Sequence, residues 1–420
     1  MRVLFTPFPS SSHVNNQVPL AWALRAAGHE VCMATQPDAT EDILGAGLTA
    51  VPVGDMLDVA QHVRDAEARE EERPPADGEA GSWLDTFDIS ETRTESLTYD
   101  YLHGTLTAWT NVVLQNTMPR RALDELVAFA AHWHPDLVIW DPMYFAGAIA
   151  AKSCGAAHAR FLFGLDVLGN LRRHYLAALA ARPAILREDP LAEWLGRFGS
   201  GFTEDLVVGQ WTLDPVPSSL ALDTGLPRVG VRYVPYNGAS VVPDWIGELE
   251  VGTARVCITL GMAHREVWGT DRLSVGRILQ GVADLGVEVI ATLDDVEADG
   301  VRVVDFVPLD VLLPLCSAVV SHGGAGSFQT ALVHGVPQVV VPDMLWDTGL
   351  KARRLAGAGA GLYANDLTGL RGLVGRALHD RGIAAAARRL RSEALAMPAP
   401  SEVVALLERL TAANRPTAAG

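Results

Sequence analysis

Cysteine is scarce in this chain. Its 420 residues hold four, Cys32, Cys154, Cys257 and Cys316, and no two form a Cys-x-x-Cys pair. That spacing argues against a zinc site or a disulfide frame and fits reduced, mostly apolar-flanked thiols. Cationic charge is also short: 33 Lys and Arg stand against 50 Asp and Glu, a formal net charge of −17. Nucleic acid and anionic membrane surfaces both call for a basic face, so neither is expected as a partner. No apolar run is long enough to span a bilayer. Met1 leads almost directly into Val3-Leu4-Phe5, without the basic-then-apolar pattern of a secretory leader, so a cytoplasmic protein is expected.

Missing motifs narrow the chemistry further. The first apolar run opens into Pro7-Phe8-Pro9-Ser10-Ser11-Ser12-His13, where a dinucleotide-binding enzyme would carry Gly-x-Gly-x-x-Gly. A nicotinamide oxidoreductase is therefore disfavoured. There is no Gly-x-x-x-x-Gly-Lys-Ser/Thr, which removes the usual P-loop NTPase, and no His-Glu-x-x-His or Gly-x-Ser-x-Gly.

What is present is a repeated strand–helix alternation over a length that suits two domains. Strands are expected at 2–6, 30–35 and 48–53, with a loop over 7–16 and helices at 18–27 and 41–44. Further strands fall at 136–141 and 160–163, with helical patterns over 102–132, 145–153 and 189–197. The segment 58–95 breaks the pattern. Glu67, Glu70, Glu71 and Glu72, then Pro74, Pro75 and Gly78, read as a solvated loop, and Trp83, Phe87, Tyr99 and Tyr101 on its flanks are candidates to line a cleft. Prolines 215, 217, 227, 235 and 243 punctuate the stretch 213–250, expected as a linker. Alternation then restarts with strands at 255–260, 287–293, 302–307 and 338–341, helices at 272–285 and 309–315, and a last helix at 401–411 before a frayed tail.

The sharpest feature is Ser321-His322-Gly323-Gly324-Ala325-Gly326-Ser327. The strand-like Ala318-Val319-Val320 precedes it. Phe328, Ala331 and Leu332 follow at helical spacing, and Gly335 and Pro337 stop the helix. Such a turn aims unpaired backbone N–H groups and the positive end of a helix at one point, where a diphosphate fits. His322 and Ser327 add side-chain donors.

Other candidates sit at strand ends. His13 is either a general base in the crevice of an open sheet or an ordinary loop histidine. Asp141, at the end of a strand in the same sheet, is either its hydrogen-bonding partner or a turn residue before Pro142. Thr259-Leu260-Gly261-Met262 opens the second domain with small residues that let a ligand approach. Asp347 and Thr348 either contact sugar hydroxyls, cap a helix starting near Gly349, or do both. Asp294 and Asp295 suggest a metal pair but read better as a polar turn with Glu297, and His132 and His134 as surface residues.

Together these residues resemble the two-domain GT-B glycosyltransferases that include natural-product sugar transferases. The matching pieces are His13, the run Val18 to Val31, Pro135 to Asp141, Tyr233-Val234-Pro235-Tyr236-Asn237-Gly238, His322 to Ser327, and Gly335 to Gln338. More narrowly, the chain is similar to actinomycete enzymes that attach TDP-deoxysugars, often aminosugars, to macrolide or anthracycline polyketides. One departure is Ser321, where close macrolide relatives often carry a first His before His-Gly-Gly.

The resemblance implies an α/β fold of two Rossmann-like domains facing a central cleft. Residues 1–212 would bind the acceptor, 213–250 link, and 251–400 bind the nucleotide sugar. The stretch 401–420 would supply a helix that packs back on the first domain, and the tail. His13 matches the family's general base and Asp141 its supporting acid. His322, Gly323, Gly324, Ala325, Gly326 and Ser327 match the donor's pyrophosphate site, with Gly261 a further donor-binding residue, Phe306 and Val307 match the strand end that reads thymine, and Asp347 and Thr348 the sugar contact. It implies an inverting transferase without metal or other cofactor, with a TDP-deoxysugar donor and a polyketide aglycone acceptor. A cytochrome-P450-like helper and a homodimer are further candidate partners. Alternatives are a non-catalytic sugar-nucleotide-binding activator subunit and a sugar-nucleotide epimerase of the same fold.

Overall fold

Apolar runs without polar alternation, such as Leu137-Val138-Ile139-Trp140, need cover on both faces. All four of those residues have no exposed surface. The structure that covers them is a computed structural model describing residues 1–415 except 63, 66–87, 200, 262–274, 283–284, 294–295, 297 and 344. Several expectations lie outside the described residues: the acidic cluster at Glu67 and Glu70 to Glu72 with Pro74, Pro75 and Gly78, the aromatics Trp83 and Phe87, Met262, the turn at Asp294, Asp295 and Glu297, and the tail beyond 415.

Seven parallel strands build the first sheet: β1 (Arg2–Thr6), β2 (Glu30–Thr35), β3 (Ala50–Pro52), β4 (Leu137–Trp140), β5 (Ala157–Phe161), β6 (Trp211–Asp214) and β7 (Arg228–Gly230). Six build the second: β8 (Arg255–Thr259), β9 (Glu288–Thr292), β10 (Val301–Val304), β11 (Ala318–Ser321), β12 (Gln338–Val340) and β13 (Gly361–Tyr363). Their orders are β3-β2-β1-β4-β5-β6-β7 and β10-β9-β8-β11-β12-β13. The second sheet therefore repeats the order of the first six strands of the first, and each has one place where the winding direction reverses. In the first, β1 lies beside β4, with Thr6 opposite Trp140. In the second, β8 lies beside β11, with Thr259 opposite Ser321. Chains leaving two such strands diverge to opposite faces and leave a crevice at the carboxyl ends.

The structure corrects the expected elements at several points. The first helix runs over Ser11–Ala26, so His13 is in its first turn and not in a loop. Ser10 is extended, and its carbonyl accepts the N–H groups of His13 and Val14 at 3.0 and 3.1 Å, which starts the helix early. Pro19 therefore stands inside the helix, not in its first turn. The first part of the expected linker is not linker: it finishes β6 and supplies β7 to the first sheet. Helix Val167–Ala180 has no counterpart among the expected elements.

The last helix, Pro400–Asn414, returns to the first domain. Its Val403, Val404 and Leu407 share a core with Val3 and Phe5 of β1. Among the described residues, no helix is long and apolar enough to cross a membrane.

Candidate active site

The end of β1 and the end of β4 deliver two side chains to the same crevice. His13 Nδ1 lies 2.7 Å from Asp141 Oδ2. Asp141 has no exposed surface, and its other oxygen accepts the Met143 N–H at 2.9 Å. An ionised carboxylate only accepts, so the network assigns the imidazole proton to Nδ1 and leaves a lone pair on Nε2. Phe8 and Phe163 fix the ring, with centroids 5.1 and 4.5 Å away, the second edge-on. Phe163 in turn packs on Trp346 of the second domain, and Trp346 on Trp109. Trp346 holds a left-handed backbone, φ 54°, to make that contact across the cleft.

The second sheet repeats the plan. His322 follows β11, and Gly261 follows its neighbour β8. Gly261 has φ +81°, and a Cβ there would stand 2.5 Å from His322 Cε1. A Cβ on Gly324 would stand 2.3 Å from His322 Nε2. The imidazole therefore occupies a slot that only two glycines leave open. Gly323 takes φ +87°, and its N–H donates to Ser321 Oγ at 3.3 Å, so the serine at this departure from the family pattern shapes the turn.

Helix Ala325–His334 starts at once after this turn. Its first intrahelical bond runs from the Phe328 N–H to the Gly324 carbonyl at 2.9 Å. The amides of Ala325, Gly326 and Ser327 precede that bond and carry the positive end of the helix dipole.

A cavity of about 410 Å³ joins the two halves. His13 lines it from the first domain. Gly261, Phe306, Val307, His322, Gly324, Ala325, Gly326, Ser327, Asp347 and Thr348 line it from the second. Two of the expected residues do not reach its wall: Asp141 stands behind His13, and Gly323 stands behind the turn against Val340. Phe306 is partly exposed and Val307 buried.

Asp347 departs from the capping expectation. It precedes helix Thr348–Gly357, yet its side chain makes no capping bond. The carboxylate turns to the first domain instead, where Oδ2 accepts the Leu165 N–H at 2.7 Å. Thr348 Oγ1 donates to Asp343 at 2.9 Å.

The cavity also takes residues that sequence reasoning did not single out as site residues. Trp109 and Trp346 supply aromatic wall, and Lys351 and Asp343 supply charge. Tyr233 and Asn237 come from the segment expected only to connect domains. Burial pushes the Tyr233 hydroxyl up to about 12, which keeps it a neutral donor. For Lys351 a signal was available, since it lies four residues after Asp347 and shares its helix face. Among the described residues, no group of three or more His, Cys, Asp or Glu is arranged to hold a metal ion.

The arrangement sets the His13–Asp141 pair opposite the His322 turn and helix start across one cleft, and the chain as a whole is similar to known proteins. The family described as erythromycin biosynthesis protein CIII-like matches with its N-terminal domain over residues 22–261 and its C-terminal domain over residues 276–410. The aclacinomycin-T 2-deoxy-L-fucose transferase of Streptomyces galilaeus is 49% identical over 433 aligned residues, covering 99% of this chain and 97% of the relative. The 10-deoxymethynolide desosaminyltransferase of Streptomyces venezuelae is 47% identical and covers 99% and 98%. The crystal structure of the glycosyltransferase VinC in complex with dTDP superposes with a TM-score of 0.84 at 38% identity, covering 98% of this chain and 100% of VinC. The chain belongs to the erythromycin biosynthesis protein CIII-like family: it is a glycosyltransferase of GT-B fold.

Proposed function

We propose that this member of the family transfers a deoxysugar, aminosugars included, from a TDP-sugar to a hydroxyl of a polyketide aglycone in antibiotic biosynthesis. The relatives support the substrate classes, since one is named a 2-deoxy-L-fucose transferase and another a desosaminyltransferase. The single observation that carries the chemistry is the opposition of two sites across one cavity. The His13–Asp141 pair stands on one side, and His322 with the Gly324–Ser327 helix start stands on the other.

In this reading the acceptor hydroxyl lies at His13 Nε2. The base takes its proton as the oxygen attacks the anomeric carbon. The bond from that carbon to the diphosphate oxygen breaks on the opposite face, so configuration inverts. Asp141 stabilises the imidazolium that forms. Negative charge gathers on the departing diphosphate, and the amides of Ala325, Gly326 and Ser327 with His322 receive it without a metal. Phe306 and Val307 flank the nucleotide base, and Asp347 and Thr348 the sugar. The apolar wall of Trp109, Phe163 and Trp346 suits a polyketide.

The proposal extends to a cytoplasmic location, a cytochrome-P450-like helper and a homodimer, each open to co-purification and light scattering. The direct test incubates the enzyme, with and without such a helper, with TDP-deoxysugars and polyketide aglycones. Mass spectrometry should find the glycoside and stoichiometric TDP. TDP release without a glycoside, across all aglycones, would contradict the acceptor class.

A further inference from the structure

The cavity wall holds a cation that neither the base pair nor the anion site accounts for. Lys351 is 2% exposed, and its Nζ lies 2.9 Å from Asp347 Oδ1. The ammonium also sits 5.5 Å from the centroid of Phe328, on the helix Ala325–His334. A buried ammonium or carboxylate is costly unless paired.

Asp347 does more than pair. Its Oδ2 accepts the Leu165 N–H across the cleft, and Leu165 belongs to the first domain. The neighbouring Gly164 has to be glycine, because a Cβ there would stand 2.3 Å from Asp347 Oδ2. Burial pushes the Asp347 carboxyl up, while Lys351 and the Leu165 N–H pull it back. A carboxylate accepts about four hydrogen bonds, and Lys351, the Leu165 N–H and the carboxylate's own backbone N–H take three of them. Acceptor capacity remains for a ligand in the cavity.

We propose that Lys351 is a positioning residue for glycosyl transfer: it holds the Asp347 carboxylate charged and turned, so that one group ties the donor-side helix to Leu165 of the first domain while serving the cavity wall. The inference rests on the reading that the cavity holds a nucleotide sugar. Lys351 touches no reacting atom and acts through Asp347. Without its cation, the buried carboxylate turns away or takes up a proton, and its hold on the Leu165 N–H weakens.

The test reads hydrogen exchange at the Leu165 amide in the full chain, by mass spectrometry with residue-level fragmentation. Lys351→Met should speed that exchange by about tenfold or more, as expected when a buried charge loses its partner. Adding Asp347→Asn to Lys351→Met should restore much of the protection, because a neutral amide still accepts from Leu165 and needs no cation. A wall residue acting through packing alone gives no such rescue.

If Lys351→Met does not fold, Asp347→Asn alone is compared with the double variant. Equal exchange at Leu165 supports the pair acting as one unit, and faster exchange in the double variant overturns it. Exchange unchanged in a folded Lys351→Met also overturns it. TDP binding by the native chain is titrated in parallel. Its absence would sink the nucleotide-sugar reading and leave the exchange result standing on its own.

Discussion

His13 Nδ1 stands 2.7 Å from Asp141 Oδ2, and the two residues, 128 positions apart in the chain, follow adjacent strands, His13 in the first turn of the helix after β1 and Asp141 directly after β4. The contact depends on β1 lying beside β4 at the point where the sheet reverses its winding. It turns an ordinary imidazole into one whose free nitrogen is defined.

His13→Ala should therefore lower kcat by roughly 10²–10⁴, the usual contribution of a general base. TDP affinity should be unchanged, because the anion site lies in the other domain. Asp141→Asn should also lower kcat, since an amide donor can reverse the tautomer. Turnover assays beside nucleotide titrations check both, and parallel losses in rate and TDP binding would contradict the assignment.

The glycines around His322 are predicted to be intolerant for a steric reason. Gly261→Ala and Gly324→Ala each put a Cβ within 2.5 Å of the imidazole, so the ring has to move. TDP affinity should drop by about tenfold or more, since one hydrogen bond to a charged group is worth about 1.5–3 kcal/mol. Calorimetry gives the affinity, and melting curves separate it from loss of fold.

Chelation should have no effect. In the proposed mechanism the helix start and His322 supply the positive character that a metal ion would otherwise bring. Turnover after exhaustive EDTA treatment should match the untreated enzyme. Activity that vanishes and returns with magnesium or manganese would contradict metal independence.

Asp205 gives a pH signature away from the cleft. Burial opposes its ionised form, yet hydrogen bonds from His158, Thr203 and Lys152 outweigh that and hold the carboxyl well below the usual range. The Trp140 indole N–H points at His158 Nδ1 at 3.2 Å, which leaves Nε2–H to donate to Asp205. A carboxyl depressed in the folded state adds stability that is complete above about pH 4 and fades as pH falls. Asp205→Asn should cost about 1–2 kcal/mol at neutral pH, a low figure because solvent screens part of the group. Melting temperatures of the two proteins should converge in acid.

The sequence made the doubly alternating plan legible because its central strands are buried on both faces. Leu137 to Trp140 and Ala318 to Val320 have little choice but to be core. The turn at His322 was legible because closely spaced glycines before a helical pattern have few other uses. His13 stands out by type and position, but the start of its helix does not, since Pro19 mimics a helix start that lies eight residues earlier.

Strands β6 and β7 stayed hidden for a different reason. Both are short and lie among prolines that favour linkers, yet β7 is an edge strand, where proline is tolerated nearby. The Asp347–Leu165 bond joins residues 182 positions apart across two domains. No local pattern encodes a contact of that kind.

The most direct measurement is a calorimetric titration of the native chain and of Gly324→Val with TDP, UDP and GDP. The native chain should bind TDP in preference to the other two, and Gly324→Val should lose it. No heat with any of the three nucleotides, or equal TDP affinity in Gly324→Val, would contradict the claim that the helix start at Gly324 receives the leaving diphosphate.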